Sequence, residues 1–158
     1  MACDMIQAAQ PQPHSQMIES IPDGFESWHP SGPFMAHMAD IGTLYRNKAG
    51  NTLAVRVRDA HTNMHSMAHG GMLATLADCA LGQCISRETQ SGVVTVHMSV
   101  DYLSAVQPGD WLEAQVRIDK KGRKLIYATC LMMVGEKVML KVNAVFAVRA
   151  ADKPVSDG

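Results

Sequence analysis

The second half of this chain repeats one pattern: an alternating, strand-like run, a short turn, then another run. The runs are VVTVHMSVDYL (93–103), WLEAQVRIDK (111–120), LIYATCLMMV (125–134) and KVMLKVNAVFAVR (137–149). Gln107-Pro108-Gly109-Asp110, Lys121-Gly122-Arg123 and Gly135-Glu136 separate them, and connections this short join antiparallel neighbours. Upstream, IGTLYR from Ile41, a Lys48-Ala49-Gly50-Asn51 turn and TLAVRVR read as a further hairpin, with Leu53, Val55 and Val57 alternating against Ala54, Arg56 and Arg58. Between the two sets, residues 59–68 form a polar loop and residues 70–87 carry the Ala, Leu and Met content of a helix. The order is therefore ββ-α-ββββ. One long central helix has to be covered by one antiparallel sheet, an α+β layer arrangement. The edge strands of such a sheet stay open, which favours self-association.

The boundaries follow from composition. Residues 1–33 are rich in Pro, Gln and Ser and are expected to form a flexible arm, with Phe25 and Trp28 of IPDGFESW the residues able to dock onto the domain. Residues 34–150 form the domain, and 151–158 a disordered tail. The formal net charge of −1 gives no general attraction to nucleic acid or to an anionic membrane. No apolar run approaches the roughly 20 residues of a membrane span. The N-terminus lacks the charged and apolar regions of a signal peptide, so the cytoplasm is the expected location. Cys79, Cys84 and Cys130 lack metal or disulfide spacing and are expected to be small buried hydrophobes. The twelve Met residues serve as core filler or line an adaptable tunnel.

The chemistry concentrates in NMHSMAHGGMLATLADCALG, residues 63–82. Asp78 is a single carboxylate in an apolar helical run, costly to bury unless it is satisfied or used. Gly71, Thr75, Asp78 and Gly82 are spaced to share one helix face, small and polar, while Met72, Leu73, Leu76, Ala77, Ala80 and Leu81 supply the apolar faces. Two glycines at the helix start leave N–H groups able to meet a carbonyl oxygen. His61, His65 and His69 recur every four residues, but they precede the helix in a loop, and a metal role is not expected. His69 is expected to pair with Asn63 and order the turn.

His69-Gly70-Gly71, the acid nine residues after that His and Asn63 six residues before it resemble the hotdog-fold acyl-CoA thioesterases, in particular the phenylacetate-degradation branch of the 4-hydroxybenzoyl-CoA thioesterase superfamily. The strand VVTVHMSVDYLSAV with its Pro-Gly-Asp turn and the Lys-Gly-Arg-Lys-Leu turn extend the resemblance over roughly residues 40–148. The resemblance implies a curved antiparallel sheet wrapped around the helix, with dimers or dimers of dimers sharing active sites between protomers. It implies Asp78 as the catalytic acid, acting as general base or nucleophile. Gly71 supplies the N–H that polarises the thioester, Asn63 and His69 flank the carbonyl, and Thr95 holds the attacking water. No separate cofactor is implied, because coenzyme A is part of the substrate. Its phosphates need basic contacts, and Arg123 and Lys124, beside Gly122, are the candidates. The competing readings are a hotdog hydratase, whose site places a catalytic His and an acid differently, a non-catalytic acyl-CoA-binding module, which has no need of Asp78, and a structural homo-oligomer without a ligand.

Overall fold

The computed structural model describes residues 20–149. The elements in chain order are β1 (Phe25–Trp28), α1 (Pro33–Ile41), β2 (Leu44–Asn47), β3 (Thr52–Arg56), a short 3-10 turn (Asp59–His61), α2 (Gly70–Thr89), β4 (Val93–Tyr102), β5 (Trp111–Lys121), β6 (Leu125–Val134) and β7 (Lys137–Val148). The strands form one sheet in the order β1-β2-β3-β5-β6-β7-β4, every pair antiparallel. The chain leaves the sheet after β3 and returns at the far edge as β4. The connection between them is α2, which packs against β3, β4, β5, β6 and β7.

The period-2 pattern explains the cover. Leu112, Ala114 and Val116 of β5, Ile126, Ala128, Cys130 and Met132 of β6, and Leu140, Val142, Ala144 and Phe146 of β7 are all buried. Their register aligns them in rows across the strands: Val116 opposes Cys130, Cys130 opposes Val142, and Val142 opposes Val100. Against these rows α2 turns Leu73, Leu76, Ala77, Ala80, Leu81 and Ile85, all buried. Each fully buried Leu, Ile or Phe side chain contributes about 1.5–3 kcal/mol of burial free energy. Gly71, Thr75 and Asp78 are left outside this core, whereas Gly82 faces the buried Phe146 ring.

The structure departs from the sequence expectations in several places. The sheet starts at Phe25, inside the segment read as an arm. Phe25 packs edge-on against Trp111 with ring centroids 5.3 Å apart, and Trp28 packs against the core. Pro22 and Pro30 lie outside β1 and so do not interrupt its pairing. Helix α1, with Pro33 in its first turn, was not anticipated; none of its residues is buried, and its nine residues make a far shorter signal than the twenty of α2. Cys130 is buried, but Cys79 and Cys84 are only partly so, because they stand on the flanks of α2. Met132 and Met139 fill the core, whereas Met64 is 90% exposed. Residues 1–19 of the arm, residue 150 of the domain and the tail 151–158 lie outside the described residues. No helix among the described residues is long and apolar enough to cross a membrane.

Candidate active site

Helix α2 begins in an unusual way. His69, its N-cap residue, has extended backbone, and its Nδ1 accepts a hydrogen bond from the Gly71 N–H at 3.0 Å. A neutral imidazole accepting at Nδ1 carries its proton on Nε2. The first helical bond, from Leu73 N to His69 O, is 3.1 Å. The Gly71 N–H is therefore already used, contrary to the expectation that it is the open donor. The Gly70 N–H, one residue earlier, makes no hydrogen bond among the described residues. Gly70 O accepts from the Tyr102 hydroxyl at 2.8 Å.

The loop before the helix is fixed from below. His61 is buried, its Nδ1 accepts from Arg58 N at 3.0 Å, and its carbonyl accepts from His69 N at 2.8 Å. Burial first, and the Arg58 charge second, hold the His61 imidazole below its ordinary range, so it stays neutral. Ala68 N bonds Val106 O at 2.9 Å. The expected Asn63–His69 pair is not formed. Instead Asn63 Oδ1 accepts from His65 N at 2.8 Å and Met67 N at 3.4 Å, closing its own turn. Its Nδ2 has no partner among the described residues. The imidazoles of His61 and His69 accept from different backbone N–H groups, His65 takes part through its backbone N–H, and no cluster of three or more His, Cys, Asp or Glu among the described residues could hold a metal ion.

The acid lies further along the same helix. Asp78 is half-buried rather than fully buried, because it borders the small face that the sheet does not cover. Thr95, exposed on β4, donates its hydroxyl to Asp78 Oδ1 at 2.7 Å. Thr95 thus touches the carboxylate directly, a contact that the strand pattern alone does not reveal. The neighbouring Cys79 thiol is pushed up to about 12, by burial and then by the Asp78 charge. Both causes disfavour its thiolate, the reactive form of a cysteine.

Asp78 and Thr95 thus form one group, and His69, Gly70, Gly71 and Tyr102 another. The two stand about 12 Å apart along the α2 axis, at about 1.5 Å per residue. Gly122, Arg123 and Lys124 join neither. They form the β5–β6 turn, next to the far end of α2, where Lys121 Nζ bonds Glu88 O at 3.2 Å. Gly122 fits a close approach there, since a Cβ on it would lie 2.6 Å from Leu125 O. Arg123 and Lys124 are exposed. A cleft of about 430 Å³ between Cys84, Glu88, Val116, Ile118 and Lys121 opens at the same end, and none of the catalytic candidates lines it. Tyr102 is the functional candidate that the sequence did not reveal.

The sequence profile of the thioesterase superfamily matches residues 65–140. "Putative esterase PA0474" of Pseudomonas aeruginosa is 32% identical over 129 residues, covering 80% of this chain and 96% of that protein. "Acyl-coenzyme A thioesterase 13" of Mus musculus is 31% identical over 77 residues, covering 48% of this chain and 54% of that protein. The crystal structure of smu.793 from Streptococcus mutans UA159, bound to acetyl CoA, superposes with a TM-score of 0.60 at 26% identity, over 65% of this chain and 82% of that one.

Proposed function

This chain belongs to the thioesterase superfamily and is a thioester hydrolase, and from that premise we propose that it cleaves acyl-CoA thioesters at a site shared between two copies of the chain. The observation that carries the shared site is the separation on α2. A reacting carbonyl needs its oxygen at about 3 Å from a donor and its carbon equally close to the attacking group. Gly70 and Asp78 of one chain, about 12 Å apart along a rigid helix, cannot both meet it. A second copy related by a two-fold axis, with its α2 antiparallel, brings its own Gly70 to this chain's Asp78. The small size of Gly71 and Thr75 allows that approach. Strand β4 supports the same pairing: it is a ten-residue sheet edge on which Val94 and Val96 are 52% and 59% exposed.

At such a site the Gly70 N–H, at the positive end of the helix dipole, stabilises the charge that develops on the thioester oxygen. Asn63, whose Nδ2 is unpartnered among the described residues, is the proposed second donor. Asp78 acts as general base on a water or as nucleophile on the carbonyl, and the Thr95 hydroxyl fixes the carboxylate that does so. Arg123 and Lys124 are the proposed contacts for the coenzyme A phosphates. The mouse relative's name, and the acetyl CoA bound in the Streptococcus mutans structure, support an acyl-CoA substrate. Thiol release from a panel of acyl-CoA esters tests the proposal. Hydrolysis of at least one member is expected, whereas coenzyme A binding with no thiol release from any member would identify a binding module instead.

A further inference from the structure

Strand β4 serves two separate points of α2. Near its start Thr95 meets Asp78, and at its end Tyr102 meets Gly70. On a regular strand the residues facing one side are all odd or all even, yet 95 and 102 differ in parity. The register against β7 shows how this is reconciled. Thr95 opposes Phe146 and His97 opposes Val145, so Val96 is an extra residue in the ladder. This bulge reverses the alternation, and beyond it the even residues Met98 and Val100 pack against the core.

Tyr102 approaches closely at the far end. A Cβ on Gly70 would lie 3.3 Å from Cε1 of the Tyr102 ring and 3.4 Å from its oxygen, so the ring lies against Gly70 while its hydroxyl bonds Gly70 O. The peptide unit joining Gly70 to Gly71 is therefore held twice: its oxygen by Tyr102 and its N–H by His69 Nδ1. It lies between two glycines, the residues with the widest choice of φ and ψ. The other ties at the helix start, His69 N to His61 O and Ala68 N to Val106 O, precede this peptide and leave it to these two contacts and the helical ladder.

We propose that Tyr102 is a positioning residue for hydrolysis: holding the peptide that follows Gly70 limits rotation at the Gly70 Cα, and with the preceding peptide held through His69 O by Leu73 N, the Gly70 N–H is aimed before substrate arrives. It touches no reacting atom and acts through Gly70. The inference rests on the reading of the helix start as the carbonyl-binding end. A donor that needs no reorganisation is worth more to the transition state than a mobile one.

Tyr102→Phe keeps the ring and removes only the hydroxyl, and at 54% exposure the residue is not part of the core. Two readouts apply. In turnover, kcat is expected to fall roughly 10-fold with KM within about twofold, less than the about 10²–10³-fold cost of deleting an oxyanion donor outright. In ¹⁵N relaxation, the Gly70 and Gly71 amides are expected to move from the rigid range, order parameters about 0.85, toward values below about 0.6, while Leu76 to Leu81 stay rigid. Unchanged kcat, unchanged glycine order parameters, or equal loosening along the whole helix would each overturn the proposal. Absence of thiol release by the unmodified protein would overturn the functional reading alone, because relaxation still decides whether Tyr102 locks the peptide.

Discussion

In the proposed reaction, the chemistry at the middle of α2 falls to side chains, Asp78 and Thr95, joined by one hydrogen bond of 2.7 Å across to β4. At the start of α2 it is carried by backbone, and that backbone is tied to its surroundings by His69, His61, Tyr102 and Val106. A carboxylate brings its own charge and needs only to be aimed. A peptide N–H can be aimed only by fixing the chain around it, so several residues are committed to one donor. The acid end should therefore tolerate substitution without loss of shape, while the donor end should respond to any change that loosens its supports.

The largest expected effect is at the acid end. Asp78→Asn keeps the volume and removes the charge, and kcat should fall by about 10²–10⁴-fold, with coenzyme A affinity and the thermal midpoint nearly unchanged. Steady-state thiol release and a thermal melt check this together. A variant that lost coenzyme A affinity or folding in proportion would erase the distinction between the two ends.

A smaller effect is expected at the basic turn, which belongs to neither end. Arg123→Ala should raise KM several-fold and leave kcat within about twofold, as loss of an exposed phosphate contact does. The opposite split, measured on the same substrate, would remove Arg123 from the phosphate site.

The smallest effect is a pH dependence confined to the donor end. His61 is held below its ordinary value of 6.5, so below that value the unfolded chain binds more protons than the folded one. Its contribution to stability is complete above about pH 6.5 and is lost as pH falls from there through the lowered folded value. The thermal midpoint should therefore decline between about pH 7 and pH 5, and His61→Gln should flatten that slope even if it lowers the midpoint throughout. An equal slope in both proteins would show that His61 does not carry it.

The contrast between the two ends also explains what could be read from the sequence. The strands 111–120, 125–134 and 137–149 and the helix 70–87 lie within one or two residues of their observed limits, because alternation, short turns and an apolar helical face are local signals. Asp78 was legible for the same reason: one charge in an apolar run stands out. The donor end was not. His is not among the favoured N-cap residues, so its capture of the Gly71 N–H leaves no trace in composition. The Val96 bulge leaves none either, since Val-Val-Thr-Val-His reads as an unbroken strand, and without the bulge Tyr102 would be assigned to the wrong face. Strand β1 owes its place to pairing with β2 and to packing of Phe25 on Trp111, residues far away in the chain.

The shared site is tested most directly by mixing two disabled variants, Asp78→Asn and Asn63→Ala, after dissociation and reassembly. If acid and donor come from different copies, half of the randomly formed dimers contain one intact site, and activity should recover to roughly a quarter of that of the unmodified protein. A mixture no more active than the sum of its two components would place both ends of the chemistry in one chain and contradict the account.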